Sequence, residues 1–160
     1  IFYEYGEEKL SKVIAEKIVL ERKSKKINTT LELVDIILSA VGANYFYKNH
    51  PERKIFQALR IEVNNELKVL EEVLPQAIDM LSSGGRMCVI TFHSLEDKIV
   101  KKIFKKYSEV DEILKGVKDI PKEYQPKIKI INKKPILPSE KELSENSRSH
   151  SAKLRIIERI

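Results

Sequence analysis

Gly84-Gly85-Arg86-Met87-Cys88-Val89-Ile90-Thr91-Phe92-His93-Ser94-Leu95-Glu96-Asp97 holds a turn, an extended run and a helix start in one short stretch. The Gly-Gly pair ends a helical period. Residues 86–92 then form a continuous apolar run whose length suits a strand buried on both faces, as in a parallel α/β sheet. From residue 95 to 107 the spacing turns helical, with Ile99, Val100, Ile103 and Phe104 inward and Lys98, Lys101, Lys102, Lys105 and Lys106 outward. Ser94 with Asp97 three residues on resembles a capping box with Asp in place of Glu. A strand that passes directly into a helix points to an α/β fold.

Downstream, residues 108–126 read as a Lys-rich loop holding Pro121 and Pro126, residues 127–132 alternate as a half-exposed strand, and residues 135–149 read as a polar connection. A last extended segment covers residues 152–158, and the two final strands are expected to pair near a sheet edge. Upstream, Leu10, Val13, Ile14 and Ile18 predict an amphipathic helix over residues 6–22. Thr29 and Thr30 offer an N-cap for a second helix over 31–41, which Gly42 stops. Residues 42–51 read as a loop, and residues 52–81 as one long helix that Pro75 bends or divides. The order is three helices, then strand, helix, strand, strand. Three strands alone would expose a long edge that proteins usually cover. That, with a chain that opens at Ile1 in a helix-like pattern, leads to the expectation of a fragment: the second half of an α/β sheet plus a small helical unit.

The chain has 160 residues, 42% of them apolar, which is enough for a real core. A net charge of +6 and a pI near 9.2 are compatible with a polyanionic partner such as nucleic acid. The single cysteine, Cys88, reads as a small core hydrophobe and fits a reducing compartment. No apolar stretch approaches the roughly 20 residues that span a bilayer, so the expectation is a cytoplasmic protein with no membrane partner. His50, His93 and His150 are too scattered to predict a metal site, and no GxGxxG or P-loop occurs.

Three clusters could carry chemistry. In open α/β sheets ligands sit beyond the carboxyl ends of the strands, where His93 and Ser94 fall; the alternative is a backbone-bonded strand end and a plain cap. Arg53 and Lys54 precede Gln57, Arg60 and Asn64, which share a helical face, and Asn65 follows; such a polar stripe reaches a base edge or phosphate, or is simply solvated. Asn146-Ser147-Arg148-Ser149-His150-Ser151 is dense in hydroxyls and basic groups, which suits phosphate binding or a flexible surface loop.

Taken together, YGEE (5–8), HPERKIFQALRIEVNNEL (50–67), GGRMCVITFHSLEDKIVK (84–101), KPILPS (134–139) and NSRSHSAKLR (146–155) resemble one family, the bacterial 16S rRNA cytosine-N4 methyltransferases known as RsmH or MraW. The runs keep the family's order and cover nearly the whole chain. His150 departs from it, standing where the pattern has Arg, and so do Glu52-Arg53-Lys54-Ile55, where smaller residues are usual.

The resemblance implies the C-terminal part of a class I, Rossmann-like methyltransferase dependent on S-adenosylmethionine, with residues 1–53 part of an inserted helical, substrate-recognition domain and 54–160 the end of the catalytic domain. It places the donor loop upstream of Ile1, so no cofactor-binding residue is assigned here. It makes 16S rRNA in the small ribosomal subunit the partner, with a homodimer left open and no catalytic base identified. Asn64, Asn65, His93 and Ser94 are expected to line a base pocket. Arg53, Lys54, Arg60 and Arg148 are expected to hold phosphates, with Gln57 and Ser149 beside them. Two other readings stand: a non-catalytic basic RNA- or protein-binding module, which the isolated fragment would resemble, and a helix-turn-helix DNA binder over 29–60, which leaves the His93-Ser94 segment unexplained.

Overall fold

The computed structural model describes residues 1–110, 112–114 and 116–160. The chain divides into two compact units, Ile1–Glu66 and Leu67–Ile160. The boundary falls after the fourth helix, thirteen residues beyond the 53/54 division drawn from sequence.

In the first unit α1 spans Ser11–Ser24, α2 Thr30–Val41, α3 Ala43–Asn49 and α4 Pro51–Asn64. Thr29 caps α2 through a full capping box: its hydroxyl accepts from the Glu32 amide at 3.2 Å, and Glu32 accepts from the Thr29 amide at 3.0 Å. A cap of this kind is worth about 1 kcal/mol. Ile14, Ile37, Phe46 and Ile55 form the core. The loop expected at 42–51 is instead helix α3, because Phe46 is buried in this core and a helical turn delivers it there while Tyr47 faces solvent. The long helix expected over 52–81 breaks at Asn65, whose left-handed backbone (φ 52°, ψ 35°) ends α4. Pro75 instead lies inside the next helix, α5 (Glu66–Met80).

The second unit carries most of α5, then β1 (Arg86–Thr91), α6 (Ser94–Ser108), β2 (Ile128–Ile130), α7 (Glu140–Glu145) and β3 (Lys153–Arg159). Short 3-10 turns occur at Glu112–Leu114, Lys122–Tyr124 and Ser147–Ser151; residues 111 and 115 of the expected loop lie outside the described residues. The strand order is β1-β3-β2 and both pairings are antiparallel. The final two strands do pair, but β3 takes the centre.

That topology corrects the expectation for β1. Leu74 and Ile78 of α5 with Val100 and Phe104 of α6 bury Ile128 and Ile157, with Met87 and Val89 packed alongside. Within the described residues of this unit α5 and α6 cover that face, and β1 alternates in burial: Met87, Val89 and Thr91 turn inward, while Arg86, Cys88 and Ile90 are exposed, Ile90 to 58%. Cys88, read from sequence as a core residue, is therefore on the open face.

Candidate functional site

In the second unit, the carboxyl end of β1 and the amino end of β3 are neighbours, because the antiparallel register sets Thr91 against Lys153. Two of the three clusters, His93-Ser94 and 146–151, thereby come to the same end of the sheet from more than fifty residues apart.

His93 is extended and caps α6: its Nδ1 accepts from the Glu96 amide at 3.3 Å. Glu96 answers by accepting from the Phe92 and His93 amides at 2.8 and 3.2 Å. Because Nδ1 is the acceptor, the ring proton sits on Nε2, which is buried without a hydrogen-bond partner and lies 3.4 Å from Glu96 Oε1. The side chain is only 10% exposed. The capping box is thus His93 with Glu96, one residue earlier than the Ser94-Asp97 pair read from sequence. Ser94 opens the helix and is half-buried.

This shift leaves Asp97 for another task. Both its oxygens accept from Arg155, Nε at 2.7 Å and Nη2 at 3.1 Å, and Lys153 Nζ lies 3.8 Å away. The two Arg155 hydrogen bonds hold the Asp97 carboxyl below its ordinary pKa; burial opposes this, and the charges of Arg155, Lys153 and Lys101 add to it. The pair ties the start of α6 to β3 and so fixes the floor of the site.

Beside it, the 3-10 turn Ser147–Ser151 is shaped by Asn146, whose side-chain oxygen accepts from the Arg148 amide at 3.1 Å. Ser149 is buried, and its hydroxyl donates to the Asn146 carbonyl at 2.8 Å, so it builds the turn instead of facing a ligand. Arg148 and His150 are exposed.

The third cluster belongs to the first unit. Lys54 Nζ lies 3.2 Å from Glu8 Oε2, in a network completed by Tyr45, whose hydroxyl donates to Glu8 Oε1 at 2.5 Å. Burial alone would raise the Glu8 carboxyl, but the Leu10 amide, Tyr45 and Lys54 outweigh it and bring it below the ordinary value; Tyr45 is pushed up to about 12, chiefly by its hydrogen bond to Glu8. Gln57 donates to the Tyr5 carbonyl at 3.4 Å. Arg60 forms a two-pronged contact with Glu66 at 2.8 and 3.1 Å, and Asn64 donates to the same carboxylate at 3.3 Å. Arg53 and Asn65 remain exposed, with Arg53 Nε 3.8 Å from Glu52.

Sequence reasoning missed Glu96, Arg155 and Glu8. The signal for Glu96 was its N3 spacing from His93, hidden because histidine is an unusual cap. Arg155 and Glu8 carry no local signal, since their partners are remote in sequence. Among the described residues no group of three or more His, Cys, Asp or Glu side chains is placed to hold a metal ion, and no helix is long and apolar enough to cross a membrane.

All of residues 1–160 match the MraW methylase family. The chain belongs to that family. It is 53% identical over 161 residues to a protein of Streptococcus mutans named ribosomal RNA small subunit methyltransferase H, and 56% identical over 162 residues to proteins of the same name from Lactobacillus acidophilus and Lactobacillus gasseri. Each alignment covers 100% of this chain and 51% of the relative. The chain therefore spans about half the length of the curated relatives it matches. Membership in the MraW family covers both units, the sheet end in one and the α4 cluster in the other.

Proposed function

We propose that the protein carrying this chain transfers a methyl group from S-adenosylmethionine to the exocyclic N4 of a cytidine in 16S rRNA of the small ribosomal subunit, acting in the cytoplasm. In this reading the second unit is the C-terminal part of a class I methyltransferase fold and the first unit is the helical substrate-recognition domain. The observation that carries it is the meeting of the His93-Ser94 segment and the Arg148 turn at one end of the sheet.

The donor is assigned to residues outside this chain. β1 enters α6 through Phe92, His93 and Ser94, and Gly84 and Gly85 lie at the opposite end of β1, so the described residues do not form a glycine-rich cradle where a strand meets a helix. What these residues do is hold RNA. The cytidine amine is a poor nucleophile because its lone pair is delocalised into the ring, so the base must leave its stack and be fixed with acceptors facing the amine as positive charge develops. In the second unit Ser94 supplies such an acceptor and Arg148 holds a phosphate; the first unit, by itself, offers RNA the amide oxygens of Asn64 and Asn65 and the guanidinium of Arg53. His93 acts through the α6 cap and Ser149 through its turn. Lys54, Gln57 and Arg60 support α4 through Glu8, Tyr5 and Glu66.

Calorimetric titration of S-adenosylmethionine tests this reading, with this chain beside the full-length protein. Binding to the full-length protein alone, with loss of methyl transfer in its Ser94→Ala and Arg148→Ala variants, supports it. Donor binding to the 160 residues would contradict it, and unimpaired transfer in both variants would leave a non-catalytic RNA- or protein-binding role for this segment.

A further inference from the structure

α1 and α6 are both rich in lysine, but they use it differently. On α1, Lys12 faces Glu16 and Lys17 faces Glu21 at i,i+4 spacing, so these two lysines each have an acid beside them. On α6, Lys98, Lys101, Lys102, Lys105 and Lys106 are all exposed. Like charges follow one another at i,i+4 spacing, Lys101 with Lys105 and Lys102 with Lys106, although Lys101 also has Asp97 four residues before it. Asp97 is already held by Arg155, and Lys105 lies 3.9 Å from Glu109, just past the end of the helix. Like-charge pairs at this spacing destabilise a helix. A face that repels itself in the free protein is relieved by a polyanion.

The stripe also leads somewhere. Lys101 and Lys153 both act electrostatically on Asp97, which places the stripe's first turns beside the floor of the site. The lysines then run about 12 Å along the helix from residue 98 to 106, away from that site. Val100 and Phe104 bury the opposite side of the helix, so the lysine face cannot turn inward.

We propose that this face is a phosphate track, a second RNA contact that grips the backbone flanking the target nucleotide and leads it to the carboxyl end of β1. This rests on the RNA reading above and adds to it a surface distinct from Arg148 and Arg53. Lysine, a hydrated point charge on a flexible stem, suits a track that follows backbone without reading sequence.

The test compares two fourfold variants of the full-length protein: Lys101→Gln with Lys102→Gln, Lys105→Gln and Lys106→Gln, and a charge-matched control at the exposed Lys118, Lys122, Lys129 and Lys141. Affinity for a small-subunit RNA fragment is measured across salt concentrations, with thermal melting alongside. Each phosphate contact contributes roughly 0.7 to the slope of log affinity against log salt for single-stranded RNA, so the track variant should lose about 3 from that slope and the control less than 1. The track variant should also melt at the same temperature as its parent or higher, because the repulsion is gone. An unchanged slope in the track variant, or an equal loss in the control, overturns the proposal. If the parent protein binds and methylates RNA while the track variant keeps its slope, the track alone is wrong; if the parent shows no salt-dependent RNA affinity, the RNA reading falls with it.

Discussion

Arg155, on the central strand, grips Asp97, in the first turn of α6, through two hydrogen bonds of 2.7 and 3.1 Å, with both side chains largely withdrawn from solvent. The pair joins two segments 58 residues apart and sets where α6 starts relative to β3. A buried ion pair gains little net stability over apolar packing, but losing one partner strands the other. Asp97→Ala should therefore destabilise the protein by about 3 kcal/mol, and Arg155→Met by a similar amount. The double variant should lose much less than the sum. Denaturant unfolding of the three variants checks this, and additive losses would refute the coupling.

The same pair predicts a pH dependence. Asp97 is held below its ordinary value in the folded state, while in the unfolded chain it titrates near 3.9. A depressed carboxyl contributes stability that is complete above the unfolded value and disappears as pH falls through the folded one. The gap in unfolding free energy between the parent and Asp97→Asn should be constant from pH 7 to about 5 and close below about 4. A gap that widens on acidification would show the sign to be wrong.

Gly6 sits where a Cβ would meet the Phe2 carbonyl at 2.6 Å and the Lys54 carbonyl at 3.0 Å. Backbone atoms on both sides cannot move aside as a flexible side chain would. Gly6→Ala should cost about 1–3 kcal/mol and loosen the Glu8-Tyr45-Lys54 network. Loss of protection from hydrogen exchange at the Leu10 amide, which donates to Glu8 at 2.9 Å, is the expected signature.

His93 offers a sharper separation of roles. Asparagine is among the best N-caps, so His93→Asn should keep stability within about 0.5 kcal/mol, whereas His93→Ala should lose about 1. With the ring engaged by Glu96, His93→Asn should also keep methyl transfer by the full-length protein. A large fall in transfer at unchanged stability would make the imidazole a substrate ligand.

Local pattern made much of this fold readable. The N-cap at Thr29, the Gly-Gly turn and the helical period of α6 each arise from residues close in sequence, and each appears in the structure close to where the sequence puts it. What stayed hidden depended on remote partners. The exposure of Cys88 depends on which face of the sheet α5 and α6 cover, and an apolar run reads the same whether one face or both are buried. Asn65 ends a helix through a left-handed backbone that asparagine tolerates but does not announce. At the site, a flexible phosphate loop and a closed turn share the same hydroxyl-rich composition, and only the Ser149 bond to Asn146 tells them apart.

The central claim is the chemistry at the end of β1. The most direct measurement is transfer of a labelled methyl group from S-adenosylmethionine to small-subunit RNA by the full-length protein, followed by nucleoside mass spectrometry. Label on the N4 of a single cytidine in 16S rRNA, absent when Ser94 and Arg148 are both replaced by alanine, is the predicted result. Label on another nucleoside, or transfer indifferent to both substitutions, would contradict the account.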